Sequence, residues 1–324
     1  MNKVLVTGGS GFVGREVVRQ LKERGCFVRV MARARHDNPA VDDWFMADLV
    51  QPATLNGVGA GMDTLIHLAG YAHATSKPYP EEVEKHRRIN LQGSCDLVAE
   101  AIRNGVERIV YVSSVKAGGE SSTDCLDENS ERLPQEPYGQ LKREAEQQVL
   151  ARCEKAGVHV AVIRPALVYG PGVKGNIAAM LQAIDRGRFP PLPDTHNRRS
   201  MVDVRDLAHA LLLAAETPAA NGRRYIITDN EAYSTRRMYE ALITGLGQAL
   251  PKWNVPGWLF RALGKAGDLL EVTTGRAMPV NSTLVNRLLE SACYRSVRAE
   301  QELGFVPRYR FEDAVPGMVS YEAE

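Results

Sequence analysis

The sequence predicts an α/β fold with a doubly wound parallel sheet, and three features lead to that prediction. Short runs rich in β-branched residues alternate with longer amphipathic runs over the first two thirds of the chain. The short runs are apolar throughout, as strands buried on both faces of a sheet are. A glycine-rich turn, TGGSGFVG, joins the first short run to the first amphipathic run. A chain of 324 residues is long enough for one large domain or two smaller ones that share a core.

The elements follow in order along the chain. Five buried strands are predicted at residues 3–8, 26–32, 64–70, 108–114 and 159–165. Helices are predicted at 14–24 and 89–105, and Gly105 lies where a helix C-cap is expected. After Pro165 glycine and proline cluster, which is typical of loops. Further helices are predicted at 204–216, 235–247, 257–271 and 282–292.

Charge and composition narrow the range of partners. Lys and Arg number 40 against 39 Asp and Glu, for a formal net charge of +1, so no global charge favours nucleic acid or an anionic membrane. No apolar run approaches the ~18 residues of a membrane span, and the N-terminus has no signal-peptide pattern. We therefore expect a cytoplasmic protein with no nucleic-acid or membrane partner. The five cysteines lack metal-ligand spacing, so we expect reduced, structural thiols and no metal site.

The glycine turn predicts a binding site. Gly8, Gly11 and Gly14 follow a predicted strand directly and open a predicted helix. In this setting, bare backbone N–H groups and a helix N-terminus hold a pyrophosphate, as in Rossmann-type folds. We predict a dinucleotide site there that also takes in Phe12 and Val13 at the start of the helix. The alternative is a structural turn, because glycines often serve only to make a tight connection.

The chain is thus predicted to divide in two. Residues 1–165 would form a dinucleotide-binding domain, and residues 166–324 a smaller, mixed substrate-binding region. Open α/β sheets bind ligands at the carboxyl ends of their strands, so the second region is expected to cap that edge. Segments near 199–230 are expected to return to the first domain as strands.

The form TGGSGFVG, with the spacing G-x-x-G-x-x-G, resembles the short-chain dehydrogenase/reductase superfamily. Within it the sequence resembles the extended branch, the NAD-dependent epimerase/dehydratase family, whose members act mainly on nucleotide-sugars. The resemblance identifies Asn90 as the family's structural asparagine. It implies adenine contacts at the Asp48-Leu49 pair, and a loop beside the cofactor formed by Leu68, Ala69 and Gly70.

The end of the second predicted strand indicates which cofactor binds. NAD-binding members carry an acid there, which accepts hydrogen bonds from the ribose hydroxyls. Here the position is Ala32, and Arg33 and Arg35 follow. Guanidinium groups pair well with phosphate, so we predict NADP(H), with Arg33 at the 2′-phosphate and NAD(H) as the alternative. The alternative for these arginines is that they contact no cofactor and form a solvated loop.

A Tyr-x-x-x-Lys pair points to proton transfer. Tyr138 and Lys142 lie four residues apart on a predicted helix and therefore share a face. A phenol of pKa ~10 is a reluctant acid near neutrality, and a neighbouring ammonium is expected to lower that pKa. The pair alone is common by chance, but the strand at 108–114 ends in Ser113 and Ser114. The resemblance implies a catalytic triad of Ser114, Tyr138 and Lys142, with Ser113 as the alternative hydroxyl.

The resemblance also implies the reaction, which is hydride exchange between a nicotinamide and a sugar carbon. Tyr138 would give or take the proton, Ser114 would polarise the substrate oxygen, and Lys142 would hold the nicotinamide ribose. Dehydratases of the family carry an Asp-Glu pair directly after the catalytic hydroxyl. This chain has Val115 and Lys116 there, so 4,6-dehydration is not expected.

The stretches VSSVKAGGE and IRPALVYGPGVKGN look most like reductases of UDP-4-keto-6-deoxy-N-acetylhexosamines in bacterial surface-polysaccharide pathways. We therefore predict an NADP(H)-dependent oxidoreductase that reduces the C4 ketone of a UDP-linked 6-deoxy amino sugar. One alternative is a UDP-sugar 4-epimerase with bound NAD, although such epimerases usually show SSSATVYG at this point. A second alternative is a non-catalytic protein that senses the dinucleotide. Such relatives generally lose the tyrosine or the lysine, and this chain keeps both.

Substrate contacts are predicted downstream. Asn176 follows a glycine-rich loop and could bond a phosphate oxygen, the alternative being a turn residue. Arg199 stands at the family's arginine that meets the nucleotide diphosphate, and Asp206 is expected to cap the next helix. Arg276 and Arg287 are further candidates.

Three other conspicuous residues are predicted to be structural. By the resemblance, His67 is expected to pack against the sheet. Trp253 and Trp258 are expected to pack in the core or in a lid. The resemblance also implies a homodimer, formed through the helices at 90–103 and 138–150.

Overall fold

The computed structural model describes residues 1–36, 38–72, 80–120, 124–130, 132–274, 278 and 281–323, without the side chains of residues 287, 322 and 323. Seven strands form the central sheet: β1 (Lys3–Thr7), β2 (Phe27–Ala32), β3 (Asp43–Met46), β4 (Thr64–His67), β5 (Arg108–Val112), β6 (His159–Pro165) and, later in the chain, β9 (Arg223–Ile227). Their order is β3-β2-β1-β4-β5-β6-β9, and all neighbouring pairs are parallel. Two short strands, β7 (Leu167–Tyr169) and β8 (Met201–Asp203), pair in a second sheet.

Within the described residues the α-helices are α1 (Phe12–Glu23), α2 (Pro80–His86), α3 (Ser94–Arg103), α4 (Pro137–Ala156), α5 (Asn176–Asp185), α6 (Val204–Glu216), α7 (Thr235–Gly245), α8 (Gly257–Thr274), α9 (Ser282–Leu289), α10 (Val297–Leu303) and α11 (Phe311–Ala323). A π-helical segment, Arg87–Gly93, joins α2 to α3. Gly105 has a φ of +82° just past α3, as its predicted position at a helix end requires.

Helices cover both faces of the central sheet, which explains why its strands are apolar throughout. Helices α1 and α6 pack on one face, where Val4, Val6 and Val28 are fully buried. Helices α3 and α4 pack on the other face, over Leu5 and Leu65. Doubly wound parallel sheets have this arrangement, and the predicted fold class is confirmed.

The differences from the predicted elements have physical causes. The five predicted strands are present, but β3 was missed, because its four residues DWFM show neither a long apolar run nor an alternation. Strand β9 lies at the sheet edge beside β6. A third apolar cluster, which includes Tyr169, Tyr233 and Phe311, holds the C-terminal helices together. The division of the chain near residue 165 stays a prediction.

The prediction of reduced thiols is wrong for two of the five cysteines. Cys125 and Cys293 form a disulfide across a sequence separation of 168 residues, whereas Cys26, Cys95 and Cys153 are buried thiols. The backbones of Leu126 and Tyr294 pair in an isolated parallel bridge, which brings the two cysteines together. Such long-range pairing cannot be read from the spacing of cysteines.

Two other structural predictions are also wrong. Asp203, and not Asp206, caps α6, because the Asp203 carboxylate accepts a hydrogen bond from the backbone N–H of Arg205 at 2.8 Å. Asp206 instead accepts from the backbone N–H groups of Arg308 and Tyr309 at 2.8 and 3.0 Å, and so fixes the segment before α11. The tryptophans of the α8 region pack in neither core nor lid, since Trp253 and Trp258 are 63% and 68% exposed.

The described residues contain no group of three or more His, Cys, Asp or Glu side chains that could hold a metal ion. None of their helices is both long and apolar enough to cross a membrane.

Candidate active site

The glycine turn after β1 is built so that two of its glycines cannot be replaced without strain. Gly8 has a φ of +71°, and a Cβ on it would lie 3.0 Å from the backbone nitrogen of Ala69. A Cβ on Gly14 would lie 2.1 Å from the Gly8 carbonyl oxygen. The turn is closed by a hydrogen bond from the N–H of Gly11 to the same oxygen, at 2.9 Å. The start of α1 is thus packed directly onto the end of β1.

The N-terminus of α1 suits an anionic ligand. Its N-cap, Gly11, offers no side-chain cap, and the first turn of the helix carries no acidic residue. The first N–H groups of a helix have no intrahelical acceptor, and they carry the positive end of the helix dipole. These residues therefore fit the pyrophosphate of a dinucleotide, with the backbone N–H groups of Phe12 and Val13 as donors and Gly11 leaving room for its approach.

The loop after β4 lies against this turn and is held by Asn90. The Asn90 side chain accepts from the N–H of Tyr71 and donates to the carbonyl of Tyr71, both at 2.8 Å. Asn90 lies in the π-helical segment, a distortion frequently found at functional sites. A Cβ on Gly70 would lie 3.0 Å from Asn90 Oδ1 and 3.6 Å from Lys142 Nζ, so the loop approaches the lysine closely only because Gly70 has no side chain.

His86 belongs to the same cluster and was missed in the sequence. It is buried, its Nδ1 lies 3.0 Å from Asn90 Nδ2, and its ring packs edge-on against Tyr138 with centroids 5.3 Å apart. The charged segment at 80–88 therefore has one buried side chain. The available signal was its position four residues before Asn90, on the same helical face.

The predicted packing role of His67 agrees with its surroundings. Its ring is fully buried, 2.7 Å from Thr7 Oγ1 through Nδ1 and 2.9 Å from Ser94 Oγ through Nε2. Burial, aided by the positive charge of Lys142, lowers the pKa of His67 to about 3. A neutral ring at this position links β1, β4 and α3.

The residues predicted to contact the adenosine half of the cofactor lie along the ends of β2 and β3. Arg33 follows the last residue of β2 and is exposed. Asp48 is half-buried after β3, and its Oδ1 accepts from the N–H of Val50 at 3.1 Å. Leu49 is buried, and its backbone packs where Gly93 lacks a Cβ.

Ser114, Tyr138 and Lys142 meet at the carboxyl end of β5. Ser114 follows the strand and caps a short 3₁₀ turn, Val115–Gly118, by accepting from the N–H of Lys116 at 3.3 Å. The Ser114 hydroxyl lowers the pKa of the Tyr138 phenol, and both residues line one cavity. Ser113 Oγ is buried and has no hydrogen-bond partner among the described residues. Of the two serines, Ser114 is thus the one that acts on the phenol.

Burial tunes both titratable members of this group, and one result differs from the sequence-based expectation. Lys142 Nζ donates to the carbonyl of Val112 at 3.1 Å and approaches the Tyr111 hydroxyl at 3.4 Å. Burial lowers the pKa of Lys142 to about 8, against the opposing charge of Glu146. Burial raises the pKa of Tyr138, and the opposing effect of the Ser114 hydroxyl offsets this only in part. The expectation that Lys142 lowers the pKa of Tyr138 is wrong, because the Lys142 ammonium is directed at the carbonyl of Val112 at the end of β5.

Glu146, a second residue missed in the sequence, supports Lys142 from one helical turn further along α4. Its carboxylate is fully buried and accepts from Arg164 Nε at 2.8 Å and from Arg224 Nε at 3.2 Å. Burying a carboxylate costs free energy unless cations pair with it. The pair Tyr138 and Lys142 therefore extends into a row with Glu146 at a spacing of four residues.

A cavity of about 420 Å³ opens above Ser114 and Tyr138. Its lining includes Leu68, Gly70, Ser113, Ser114, Tyr138, Lys142, Pro165, Arg199, Ala292 and Tyr294. Three lining residues, Lys116, Lys142 and Arg199, are cationic, and none of the described lining residues is acidic. The cavity is therefore suited to an anionic ligand.

The downstream candidates separate in space. Arg199 lines the cavity, and its Nη1 donates to the carbonyl of Glu290 at 3.2 Å. Asn176 is exposed at the first position of α5 and is not among the lining residues. Arg276 lies outside the described residues, as does the side chain of Arg287.

The comparisons with known proteins agree with this geometry. The model of the NAD dependent epimerase/dehydratase family matches residues 4–228, and the chain belongs to that family. The resemblance seen in the sequence is thereby confirmed, and the chain is an enzyme of the extended short-chain dehydrogenase/reductase type.

The relatives differ in the substrates that their names give. A UDP-glucose 4-epimerase of Vibrio cholerae is 30% identical over 84% of this chain and 85% of its own. A 3-beta-hydroxysteroid dehydrogenase of Mycolicibacterium neoaurum is 28% identical over 99% of this chain and 91% of its own. The Thermus thermophilus UDP-glucose 4-epimerase in complex with NAD superposes with a TM-score of 0.76 at 22% identity, over 98% of both chains, which supports the fold.

Proposed function

We propose that this enzyme is an NADP(H)-dependent oxidoreductase that reduces the C4 ketone of a UDP-linked 6-deoxy amino sugar, in surface-polysaccharide biosynthesis. The observation that carries the proposal is that Tyr138 and Ser114 line the same cavity, together with three cationic side chains. A phenol beside a hydroxyl can protonate and polarise one carbonyl oxygen. The cations favour a substrate with anionic groups.

The charge of the cavity favours one of the substrate classes that the relatives suggest. A steroid has no anionic group that could interact with the cations of the lining. The diphosphate of a nucleotide-sugar would pair with them, and guanidinium groups bind phosphate through two parallel hydrogen bonds. The nucleotide-sugar class is therefore the better fit.

The roles of the residues follow from their positions. A bound nicotinamide would supply the hydride to the carbonyl carbon. Tyr138 donates its proton to the carbonyl oxygen as negative charge develops there, and Ser114 donates a second hydrogen bond to that oxygen. Lys142, fixed by the carbonyl of Val112, supplies a positive charge beside the Gly70 loop, where it would hold the cofactor ribose.

Burial raises the pKa of Tyr138 and so keeps the phenol protonated, as a proton donor must be. A protonated phenol is ready to donate, whereas a reaction that begins by oxidising an alcohol needs a base at that position.

Lys116 argues against a dehydration reaction. It lies where the family's dehydratases carry an acid, and it forms a salt bridge with Glu136 at 3.3 Å, so no carboxylate is directed at the substrate from there.

The cofactor preference rests on the end of β2. Ala32 ends the strand without a carboxylate, and the exposed Arg33 follows it. An acid at this point would repel a 2′-phosphate, whereas a guanidinium pairs with it. NADP(H) is the proposed cofactor, and NAD(H) is the alternative that the family description supports.

A UDP-sugar 4-epimerase with bound NAD is the second candidate, and the name of the Vibrio cholerae relative favours it. An epimerase would oxidise the C4 alcohol to a ketone. The ketone would then rotate in the site, and the same residues would serve its reduction on the other face. A dinucleotide sensor without turnover is the third candidate. A cytoplasmic location and a homodimer stay predictions.

One assay separates these candidates. The purified chain is mixed with NADPH or NADH and a UDP-4-keto-6-deoxy-N-acetylhexosamine, and loss of cofactor absorbance is followed. Substrate-dependent loss with a preference for NADPH, which Arg33→Ala reduces and Arg35→Ala does not, supports the proposal. Interconversion of UDP-hexoses without net cofactor consumption would make the chain an epimerase. Cofactor binding with neither reaction would make it a sensor.

A further inference from the structure

The segment from Leu250 to Val272 exposes apolar side chains that no described residue covers. Half of the large apolar side chains that are exposed in the described part of the chain lie in this short segment. We call Trp253, Trp258, Leu263, Leu269 and Val272 the α8 patch. Trp258, Leu269 and Val272 are 68%, 65% and 77% exposed.

The patch cannot turn inward, because the other face of α8 is already packed. Phe260, Gly264 and Gly267 are buried and follow one another at spacings of four and three residues, which is one face of a helix. A Cβ on Gly264 would lie 3.0 Å from Cα of Ser282, so α8 and the start of α9 are in close contact. Trp258, Leu269 and Val272 lie on the opposite face. A helix with apolar side chains on both faces is normally buried on both faces. No described residue covers the outer face of α8.

The charges of this segment are sorted by sign. Lys252, Arg261 and Lys265 are exposed beside the patch. The two acids of α8 are directed inward, where Asp268 accepts from the N–H of Ser282 at 3.0 Å and Glu271 accepts from the N–H of Met278 at 2.8 Å. The outer face therefore combines tryptophan, aliphatic side chains and positive charge.

We propose that the α8 patch docks on an anionic lipid membrane surface. Helices that lie in the membrane interface have such a face, with Trp and Leu in the acyl boundary and Lys or Arg at the headgroups. A second copy of the chain is disfavoured as the occupant, since a two-fold interface would bring the cations of both copies together. The proposal departs from the sequence-based expectation of no membrane partner, and it needs no membrane-spanning helix.

Docking there would set the substrate cavity at the membrane surface. Helix α9, which packs on α8, lines a second cavity of about 250 Å³ with Thr283 and Asn286. Lys116 and Tyr294 line both this cavity and the larger one above Ser114. The patch is thus one helix away from the entrance to the candidate active site.

The test is co-sedimentation of the full chain with vesicles of equal parts phosphatidylcholine and phosphatidylglycerol, or of phosphatidylcholine alone. The wild type should bind the anionic vesicles, and added salt should weaken the binding by screening. Trp258→Ser/Leu269→Ser and Arg261→Glu/Lys265→Glu should each reduce the bound fraction at least about tenfold. Both pairs are exposed, so the variants should melt as the wild type does. If the first does not fold, the charge variant alone decides.

Matched controls lie elsewhere on the surface. Val306→Ser removes another exposed apolar side chain, and Lys3→Glu/Lys155→Glu reverses two other exposed cations. Both should bind vesicles like the wild type. Absence of vesicle binding at low salt, or equal binding by all variants, overturns the proposal. A dimer that Trp258→Ser/Leu269→Ser dissociates, or binding to an acidic protein without binding to vesicles, also overturns it by assigning the patch to another partner.

Discussion

The cavity above Ser114 has two walls that are held in different ways. One wall, which we call the sheet wall, contains Ser114 after β5 and Tyr138 and Lys142 on α4. Parallel strand pairing and buried apolar contacts hold these two elements in place. The other wall, which we call the linked wall, contains Arg199 and Tyr294, and one isolated bridge and a disulfide join it to the segment between β5 and α4. We infer that the sheet wall sets the geometry of proton transfer, whereas the linked wall sets how tightly substrate is held.

The linked wall depends on a small number of long-range bonds. The backbone of Arg199 pairs with Tyr233 on one side and with Ala292 on the other. Ser200 Oγ accepts from the N–H of Tyr294 at 2.8 Å and donates to its carbonyl at 2.9 Å. Loss of one such bond removes a large share of what positions this wall.

The largest effect is expected from Tyr138→Phe, on the sheet wall. Removing the proton donor should lower kcat about 10³-fold, within the usual range for general acid catalysis, and leave the affinity for NADPH nearly unchanged. Steady-state kinetics and cofactor titration measure the two quantities. Tyr294→Phe is the matched control on the linked wall, where the phenol donates to the carbonyl of Gly119 at 3.3 Å. It should raise KM and leave kcat within a few-fold. Unchanged turnover by Tyr138→Phe would remove the proposed mechanism.

The next effect concerns the disulfide. Cys125→Ser/Cys293→Ser should lower the free energy of unfolding by about 2–4 kcal/mol, because the bridge closes a long loop in the unfolded chain. It should also raise KM, since Ala292 and Tyr294, on either side of Cys293, line the cavity. Denaturant unfolding with and without reductant measures the first quantity. Reduced wild type should match the variant. Equal stability of the oxidised and reduced wild type would show that the linked wall does not need this bond.

A smaller effect is expected from Arg199→Gln. If Arg199 meets the diphosphate, loss of its charged hydrogen bonds should raise KM for the UDP-sugar about tenfold and leave kcat nearly unchanged. Arg198→Gln is the control, because Arg198 is the exposed neighbour in the same segment. Kinetics with the intact substrate and with one that lacks the diphosphate measure the effect. A change in kcat without a change in KM would move Arg199 from binding to chemistry.

The two walls also differ in how far the sequence predicted them. Ser114, Tyr138 and Lys142 come together because strand ends meet at one edge of a parallel sheet and because residues four apart share a helix face, and both rules are local. The contacts of Tyr294 and Cys293 depend on bridges between segments about 170 residues apart, which leave no local pattern. Such pairs follow from the packing of the C-terminal cluster.

Burial, too, could not be read from the sequence. The spacing predicted that Lys142 lowers the pKa of Tyr138, but desolvation dominates and raises it. No local pattern sets Glu146 apart from the other acids of α4, yet it is fully buried and paired with Arg164. Similarly, Trp258 lies on the outward face of α8, because Phe260 and the two buried glycines of the helix fill the inward face. Periodicity predicts which residues share a face, and the packing of neighbouring elements decides which face is buried.

The smallest effect is a pH dependence that belongs to the sheet wall alone. Lys142 is charged below its pKa of about 8 and neutral above it. If its ammonium holds the cofactor, the affinity for NADPH should fall as the pH rises through that value, by at most about tenfold per pH unit. Lys142→Arg cannot lose its charge in this range, so its affinity should lack this alkaline decline even if it is weaker throughout. Fluorescence titrations of NADPH from neutral to alkaline pH test both proteins. An identical decline in Lys142→Arg would assign the titration to another group, and the buried charge of Glu146 would then have to serve the fold of α4 alone.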